Sequence, residues 1–340
     1  MAAPLSGKEG RKESGGLLTV MGAINWDTSI FEDSFAGLGE QVQARNVEEF
    51  SGGKGANVAV AAARLLGRGK AAIVGALGSD DLSKRQVREL KKEGVVTDGL
   101  VKIQGSASGR AYILVNREGK KSIHSLFGAN GLIQPSHLAL PGPKGVLART
   151  SMLVVVDSPT DVAVAATETS KRVGARIIYS PGVRVREGRE SLAGMMSAAD
   201  ILVLDKAELA RLGGRTNPAE ASESLRQASP TMTVVATSGK GGCVVAGAGR
   251  TTRLSGVDLS LLGMKAVNST GSGDSFLGVL ASYVSKGAGV VEAAKWANLA
   301  GALKATRYET RGSPTKALLE ATMKKLSPRA AGHNSLKDVA

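Results

Sequence analysis

Beyond residue 150 the chain settles into a regular alternation of short apolar runs and longer amphipathic segments, and this rhythm restricts its fold more than any other feature. Residues 152–156, 175–179, 201–204, 232–236 and 243–246 read as strands. Residues 159–173, 190–197 and 207–227 lie between them at helical spacing. A strand reached again through a helix lies parallel to its predecessor, so the pattern predicts a mostly parallel sheet covered by helices on both faces. The chain opens in the same way, with strands at 17–24 and 71–77 and helices at 54–66 and 80–93. It closes on helices at 273–285, 290–305 and 314–325. Two β segments, 29–50 and 98–126, fall outside the alternation, the second with Arg117-Glu118-Gly119 as a hairpin turn. They are expected to pair into a small second sheet that acts as a lid. The expected organisation is a three-layer α/β domain over 17–326, between flexible polar tails at 1–16 and 327–340.

Composition removes several classes of function. Three histidines and one cysteine, with no pair at ligand spacing, argue against a metal centre built from side chains, and a lone thiol points to a reducing, cytoplasmic setting. No apolar run approaches the ~18 residues of a membrane span. The net charge of +14 raises the question of nucleic acid. The lysines and arginines are scattered, however, and aromatics make up only 3%, too few for a base-stacking platform. A basic surface that attracts nucleotides, with no specific nucleic-acid partner, accounts for the charge.

Four loop segments carry the chemistry. In Val267-Asn268-Ser269-Thr270-Gly271-Ser272-Gly273-Asp274-Ser275-Phe276 a glycine-rich loop enters an amphipathic helix. The free N–H groups and dipole of such a helix start attract anions, and Asp274 is a carboxylate placed to accept a proton there. A plain helix cap explains the same residues, at about 0.5–2 kcal/mol of stabilisation. Ser51-Gly52-Gly53-Lys54-Gly55-Ala56-Asn57 is a second glycine loop before a helix. Its lysine is followed by glycine, so it is not a Walker A loop, and a simple glycine turn is the competing reading. In Asn25-Trp26-Asp27 the two polar side chains share one face of extended backbone and can hold vicinal hydroxyls, or be solvated turn residues. Thr237-Ser238-Gly239-Lys240-Gly241-Gly242 follows an apolar strand and is uninformative by itself. No G-x-G-x-x-G, G-x-S-x-G, H-E-x-x-H or C-x-x-C pattern occurs.

In this order the segments resemble the ribokinase-like (PfkB) family of sugar and nucleoside kinases, over residues 17 to 325. Gly52-Gly53-Lys54-Gly55-Ala56-Asn57 and Gly271-Ser272-Gly273-Asp274 are the most specific matches. The resemblance implies ATP and Mg²⁺ as cofactors and Asp274 as the catalytic base, with Gly271, Ser272 and Gly273 forming the anion hole. It implies sugar contacts from Asn25, Asp27, Gly53, Lys54, Asn57 and Asp157. On the nucleotide side it implies Thr237, Gly239, Gly242 and Asn298, with Asp205 where family members carry asparagine and Glu208 acting on the metal through water. Asn268 stands where ribokinases carry an aspartate associated with a monovalent cation, which puts potassium dependence in question.

The same wording implies ribose as the leading acceptor. A nucleoside stacked on Phe31, Phe35, Phe50 or Tyr112, and a phosphosugar held by Arg45 or Arg110, are the alternatives. A non-catalytic sensor would have no need of Asp274. His124 is expected to face solvent on the lid, and exposed lid edges to support a homodimer.

Overall fold

The computed structural model describes residues 15–247 and 249–330. Along the chain, β1 (Leu17–Gly22) leads to β2 (Asn25–Phe31) and β3 (Asn46–Gly52), then to α1 (Lys54–Leu66), β4 (Ala71–Leu77), α2 (Asp81–Lys92) and β5 (Val96–Lys102). Next come β6 (Gly109–Val115), β7 (Lys121–Leu126), α3 (Pro141–Leu147), β8 (Thr150–Val156), α4 (Thr160–Arg172), β9 (Arg176–Ser180), α5 (Arg189–Ala198) and β10 (Ile201–Asp205). The chain continues through α6 (Lys206–Gly213), α7 (Pro218–Ala228), β11 (Thr233–Thr237), β12 (Cys243–Gly247), β13 (Arg250–Leu254), α8 (Ser272–Ser285), α9 (Val290–Ala305) and α10 (Lys316–Ala330). The expected tails fall largely outside the described residues.

The larger sheet has the order β13-β12-β11-β10-β9-β8-β1-β4-β5. It is parallel from β5 to β11 and ends in the antiparallel ribbon β11-β12-β13. Successive side chains of a strand point to opposite faces, and the cores follow that rule. Leu18, Val20, Met152 and Val154 pack into one apolar cluster with residues of α1, α8 and α9. Leu17, Met21, Leu153 and Val155 join the other, with Val146, Val162, Leu192, Leu209 and Leu225 from α3 to α7. Each such fully buried aliphatic side chain stabilises the fold by about 1.5–3 kcal/mol. The expected three-layer α/β architecture is the one observed.

The smaller sheet, β3-β2-β6-β7, pairs β2 with β6 in parallel and closes both edges with antiparallel strands. Its membership corrects the expected lid segments. Residues 96–102 form β5, which hydrogen-bonds to β4 at the edge of the large sheet. The lid instead begins at Asn25, so Asn25 and Asp27 ride on a lid strand and not on the end of β1. Cross-strand partners share a face, which places Asn25, Asp27, Phe31 and Phe50 on one side of the small sheet. Thr28, Tyr112 and His124 lie on the other, and His124 is exposed as expected.

Candidate active site

Ligands of open α/β sheets gather at the carboxyl ends of the strands, and four loops with the expected chemistry meet there. Asp157 follows β8, Asp205 ends β10, Thr237 ends β11, and the lid rises two residues after β1. Helices α1 and α8 both start at this end. Their first turns are tied together by Asn57, whose Nδ2 donates to Asp274 Oδ2 at 2.8 Å. Asp274 is the third residue of α8, and its helix is capped by Gly271 at φ 84°. A Cβ at Gly271 would lie 2.1 Å from the Thr310 carbonyl oxygen, so only glycine fits this entry. The Ser272 hydroxyl beside it is buried without a protein partner. Burial raises the Asp274 carboxyl above the ordinary range, against the Asn57 hydrogen bond and the charge of Lys54, which lower it. A carboxylate so raised is a better proton acceptor than a free one.

Asp27 reaches the same centre from the lid. It is 5% exposed, and Oδ2 accepts from the Thr310 hydroxyl at 3.0 Å. Burial pushes its pKa up to about 6, opposed by Thr310 and by the nearby Arg311 charge. Asn25 is braced by Asn130, whose Nδ2 donates to Asn25 Oδ1 at 3.0 Å while its Oδ1 accepts from the Ile24 amide at 2.9 Å. Gly52 lets the lid close down on Asp27, since a Cβ there would overlap the carboxylate. Trp26 points away, under the Arg85 guanidinium at 4.0 Å from the ring centre, a packing role as expected.

Gly53 caps α1, and Lys54, the first residue of that helix, projects toward the acidic side of the cleft. Its Nζ lies 3.5 Å from Asp157 Oδ2. Burial alone would lower the lysine; the carboxylates of Asp157, Asp274 and Glu208 outweigh it, and the ammonium is held above its ordinary value. Asp157 has φ 54°, which among the described residues makes it the one non-glycine residue in left-handed backbone. That conformation is costly and concentrates at functional sites. The Val183 amide donates to Asp157 Oδ1 at 3.1 Å and fixes the side chain.

On the far side, Asp205 and Glu208 form a reciprocal cap on α6: the Glu208 amide donates to Asp205 Oδ1 at 2.8 Å, and the Asp205 amide to Glu208 Oε2 at 2.9 Å. Asp205 thus has a structural task of its own. Burial lifts Glu208 to about 7, helped by the charges of Asp205 and Asp157. Among the described residues no group of three His, Cys, Asp or Glu side chains is placed to hold a metal ion. A magnesium ion here would therefore depend on phosphate oxygens and water for most of its ligands. Thr237 Oγ1 donates to the Leu204 carbonyl at 3.4 Å. Gly239 opens a short 3₁₀ turn, and Gly242 ends it at φ 87°, where a Cβ would be 2.1 Å from the Leu254 carbonyl oxygen. Asn298 sits half-buried on α9, near the buried Cys243, whose thiol is pushed up to about 11 by burial and is inert.

Asp27, Lys54, Asn57, Asp157, Glu208 and Asp274 are linked by hydrogen bond, ion pair or electrostatic reach at this end of the sheet, and the structure adds others. Arg311 is 7% exposed and donates to the Gly52 carbonyl at 2.9 Å, to Gln86 Oε1 at 3.3 Å and to Asn57 Oδ1 at 3.4 Å. Its Nη1 is buried with no partner. Burial lowers its pKa to about 10, against the pull of Asp27. Nothing local in Thr310-Arg311-Gly312 marks it as part of a site. Of the two arginines proposed for a phosphosugar, Arg45 is paired with Asp33 at 2.8 Å, and Arg110 shares the Trp26 face, opposite Asn25 and Asp27. A cavity of about 820 Å³ lies at the other end of the strands beside Leu18, Arg149 and Val284, away from this chemistry.

The chain is 27% identical to a ribokinase of Haemophilus influenzae over 306 residues, 88% of this chain and 95% of the relative. It is 26% identical to an ATP-dependent ribose-1-phosphate kinase of Halopiger xanaduensis over 295 residues, 86% and 93% of the two chains. An Arabidopsis thaliana ribokinase complexed with ribose and ATP superposes with a TM-score of 0.77 at 22% identity, covering 91% of this chain and 99% of that one, a likeness of fold. The sequence profile of the family described as pfkB family carbohydrate kinase matches residues 16–317. The chain belongs to the pfkB family of carbohydrate kinases.

Proposed function

We propose that this kinase transfers the γ-phosphate of ATP to a hydroxyl of ribose, giving a ribose phosphate and ADP. The observation that carries the reading is the joining of Asp274 to Asn57 at the meeting point of an anion-binding helix start and a hydroxyl-binding face. In the reaction the acceptor hydroxyl oxygen forms the new bond to the γ-phosphorus and its proton passes to Asp274. The bond from the γ-phosphorus to the bridging oxygen breaks, and ADP leaves with that electron pair. Asn57 holds one carboxylate oxygen still. The first-turn amides at Gly271, Ser272 and Gly273 stabilise charge on the transferred phosphoryl group.

Asn25, Asp27, Gly53, Lys54 and Asp157 would bind the sugar hydroxyls, with Arg311 as an added donor through its unpartnered Nη1. Thr237, Gly239, Gly242 and Asn298 would line the nucleotide, with Asp205 beside its phosphates. Magnesium, bound with ATP, supplies charge neutralisation; Glu208 would position its water ligands. The small sheet would close over the acceptor as a lid and exclude water that would otherwise hydrolyse ATP. Its face opposite Asn25 exposes Val47, Tyr112 and Leu126, an apolar strip that a second lid would cover. A monomer by light scattering would exclude such a dimer.

Ribose is favoured over a nucleoside because Tyr112 lies on the wrong lid face to stack a base, leaving Phe31, Phe35 and Phe50 of the four aromatics. The test is ADP release with ATP–Mg²⁺ and a panel of ribose, deoxyribose, ribose 1-phosphate, fructose, adenosine and cytidine. Ribose should give the highest kcat/KM. Release at background with every member would point to a non-catalytic sensor.

A further inference from the structure

The loop that feeds the catalytic helix is held by two ammonium groups from opposite directions. Lys304, on α9, is fully buried at 0% exposure. Its Nζ donates to the Asn268 carbonyl at 2.9 Å and to the Arg307 carbonyl at 3.3 Å. A buried lysine is rare unless its charge is compensated, and here the immediate ligands are neutral backbone oxygens. Its methylene stem runs under Gly271, where an added Cβ would be 3.5 Å from Lys304 Cε. Lys121 comes from the lid strand β7, and its Nζ donates to Asn268 Oδ1 at 2.7 Å and to Thr270 Oγ1 at 2.6 Å. Asn268 Nδ2 completes the junction by donating to the Tyr308 carbonyl at 2.6 Å.

An ammonium held between two carbonyl oxygens makes the kind of contact an alkali cation would make in such a loop, except that it is tethered. The oxygens that would ligate a free ion at Asn268 are already engaged by lysines, and a third positive charge among them would be repelled by both. The residues present therefore do not fit a bound potassium ion. We infer that Lys304 serves as a built-in monovalent cation for this kinase, locking the 268–271 loop to the 307–311 segment so that the anion cradle is formed without potassium. Lys304 is a positioning residue: it acts through the loop on the phosphoryl cradle and touches no reacting atom. The inference rests on the phosphoryl-transfer reading only for what the cradle does; the cation geometry stands apart from the acceptor's identity.

The experiment compares KCl, NaCl and choline chloride at equal ionic strength, with two readouts: melting temperature of the ligand-free protein, and ADP release with ribose and ATP–Mg²⁺. The wild-type protein should give the same Tm and the same turnover in all three salts. Lys304→Ala should lose about 10²-fold in turnover in choline, the size of effect seen when one preorganised electrostatic group is removed. KCl or methylammonium chloride should restore part of both the Tm and the rate by filling the vacated position. Lys304→Met, which keeps the volume and blocks entry, should lose activity without salt rescue, and covers the case in which the alanine variant does not fold. Wild-type protein that melts higher or turns over faster in KCl than in choline would overturn the inference. So would a Lys304→Ala protein as active and stable in choline as wild type. If no acceptor is phosphorylated the function fails, yet the melting comparison still decides the cation question.

Discussion

The proposed acceptor side and the proposed nucleotide side of the site are built by different means. Around Asp274 several side chains are braced by partners from distant parts of the chain: Asn57 on Asp274, Thr310 on Asp27, Asn130 on Asn25, and Arg311 on Gly52, Gln86 and Asn57. The nucleotide side has few such braces. Its Gly239–Gly242 turn takes its shape from glycine backbone, and Asn298 makes a long 3.5 Å contact to the Ser255 carbonyl and lies against the Cys243 thiol. On the proposed reading, the difference teaches that geometry is fixed where a proton and a phosphoryl group would move, and left open where a nucleotide would enter and leave. Preorganisation of the first kind lowers a barrier; openness of the second kind sets an exchange rate.

Substitutions on the two sides should therefore fail in different ways. The largest effect is expected of Asp274→Asn, which should lower kcat by ~10²–10⁴ while nucleotide affinity, read by calorimetry, stays near wild type. Near-normal turnover would remove Asp274 from its role. Asp27→Asn should raise the acceptor KM by ~10–10², the worth of hydrogen bonds to a charged group, with kcat less affected. An unchanged KM would detach the lid strand from acceptor binding. Gly242→Ala should act on the other half alone, raising the ATP KM about tenfold through backbone strain of 1–3 kcal/mol without changing the acceptor KM. If both constants rise together, the two halves are coupled more tightly than their bracing suggests.

The smallest expected effect is a pH dependence that opposes activity to stability. Asp27 shifts from its ordinary 3.8 to about 6, and Glu208 from 4.5 to about 7. Each takes up a proton more readily folded than unfolded, so their contribution to stability is complete below about pH 4 and is lost as pH rises through 6 to 7. On the proposed roles activity would need the ionised carboxylates, and it should fall as pH drops through the same window. The apparent values belong to the coupled set and not to single residues. A kcat/KM profile flat from pH 5 to 8 would contradict this.

The layered fold was legible because apolar runs and helical stripes alternate with little noise from 152 onward. Other elements were not. Helix α3 is written Pro141-Gly142-Pro143-Lys144-Gly145, poor in helix formers, and is held by packing of Val146 and Leu147 into the core. Strand β13 reads Arg-Thr-Thr-Arg-Leu and is recruited by pairing with β12 at the sheet edge, where polar side chains are suitable. Strand β5 carries no local mark of which sheet it joins; β4 decides that. The glycine loops, with Asp274 and Asn57, announced themselves through turn chemistry at helix starts. Arg311 and Thr310 did not, because their partners lie more than 200 residues away in sequence and only the folded chain brings them together.

The central claim is best tested by a crystal structure of the enzyme with ribose and a non-hydrolysable ATP analogue. The account predicts one sugar hydroxyl about 2.6–3.2 Å from an Asp274 oxygen, in line with the γ-phosphorus and ringed by Asn25, Asp27 and Asn57. A sugar bound elsewhere, or one whose nearest hydroxyl is separated from Asp274 by ordered solvent while the γ-phosphate points away from the start of α8, would contradict it.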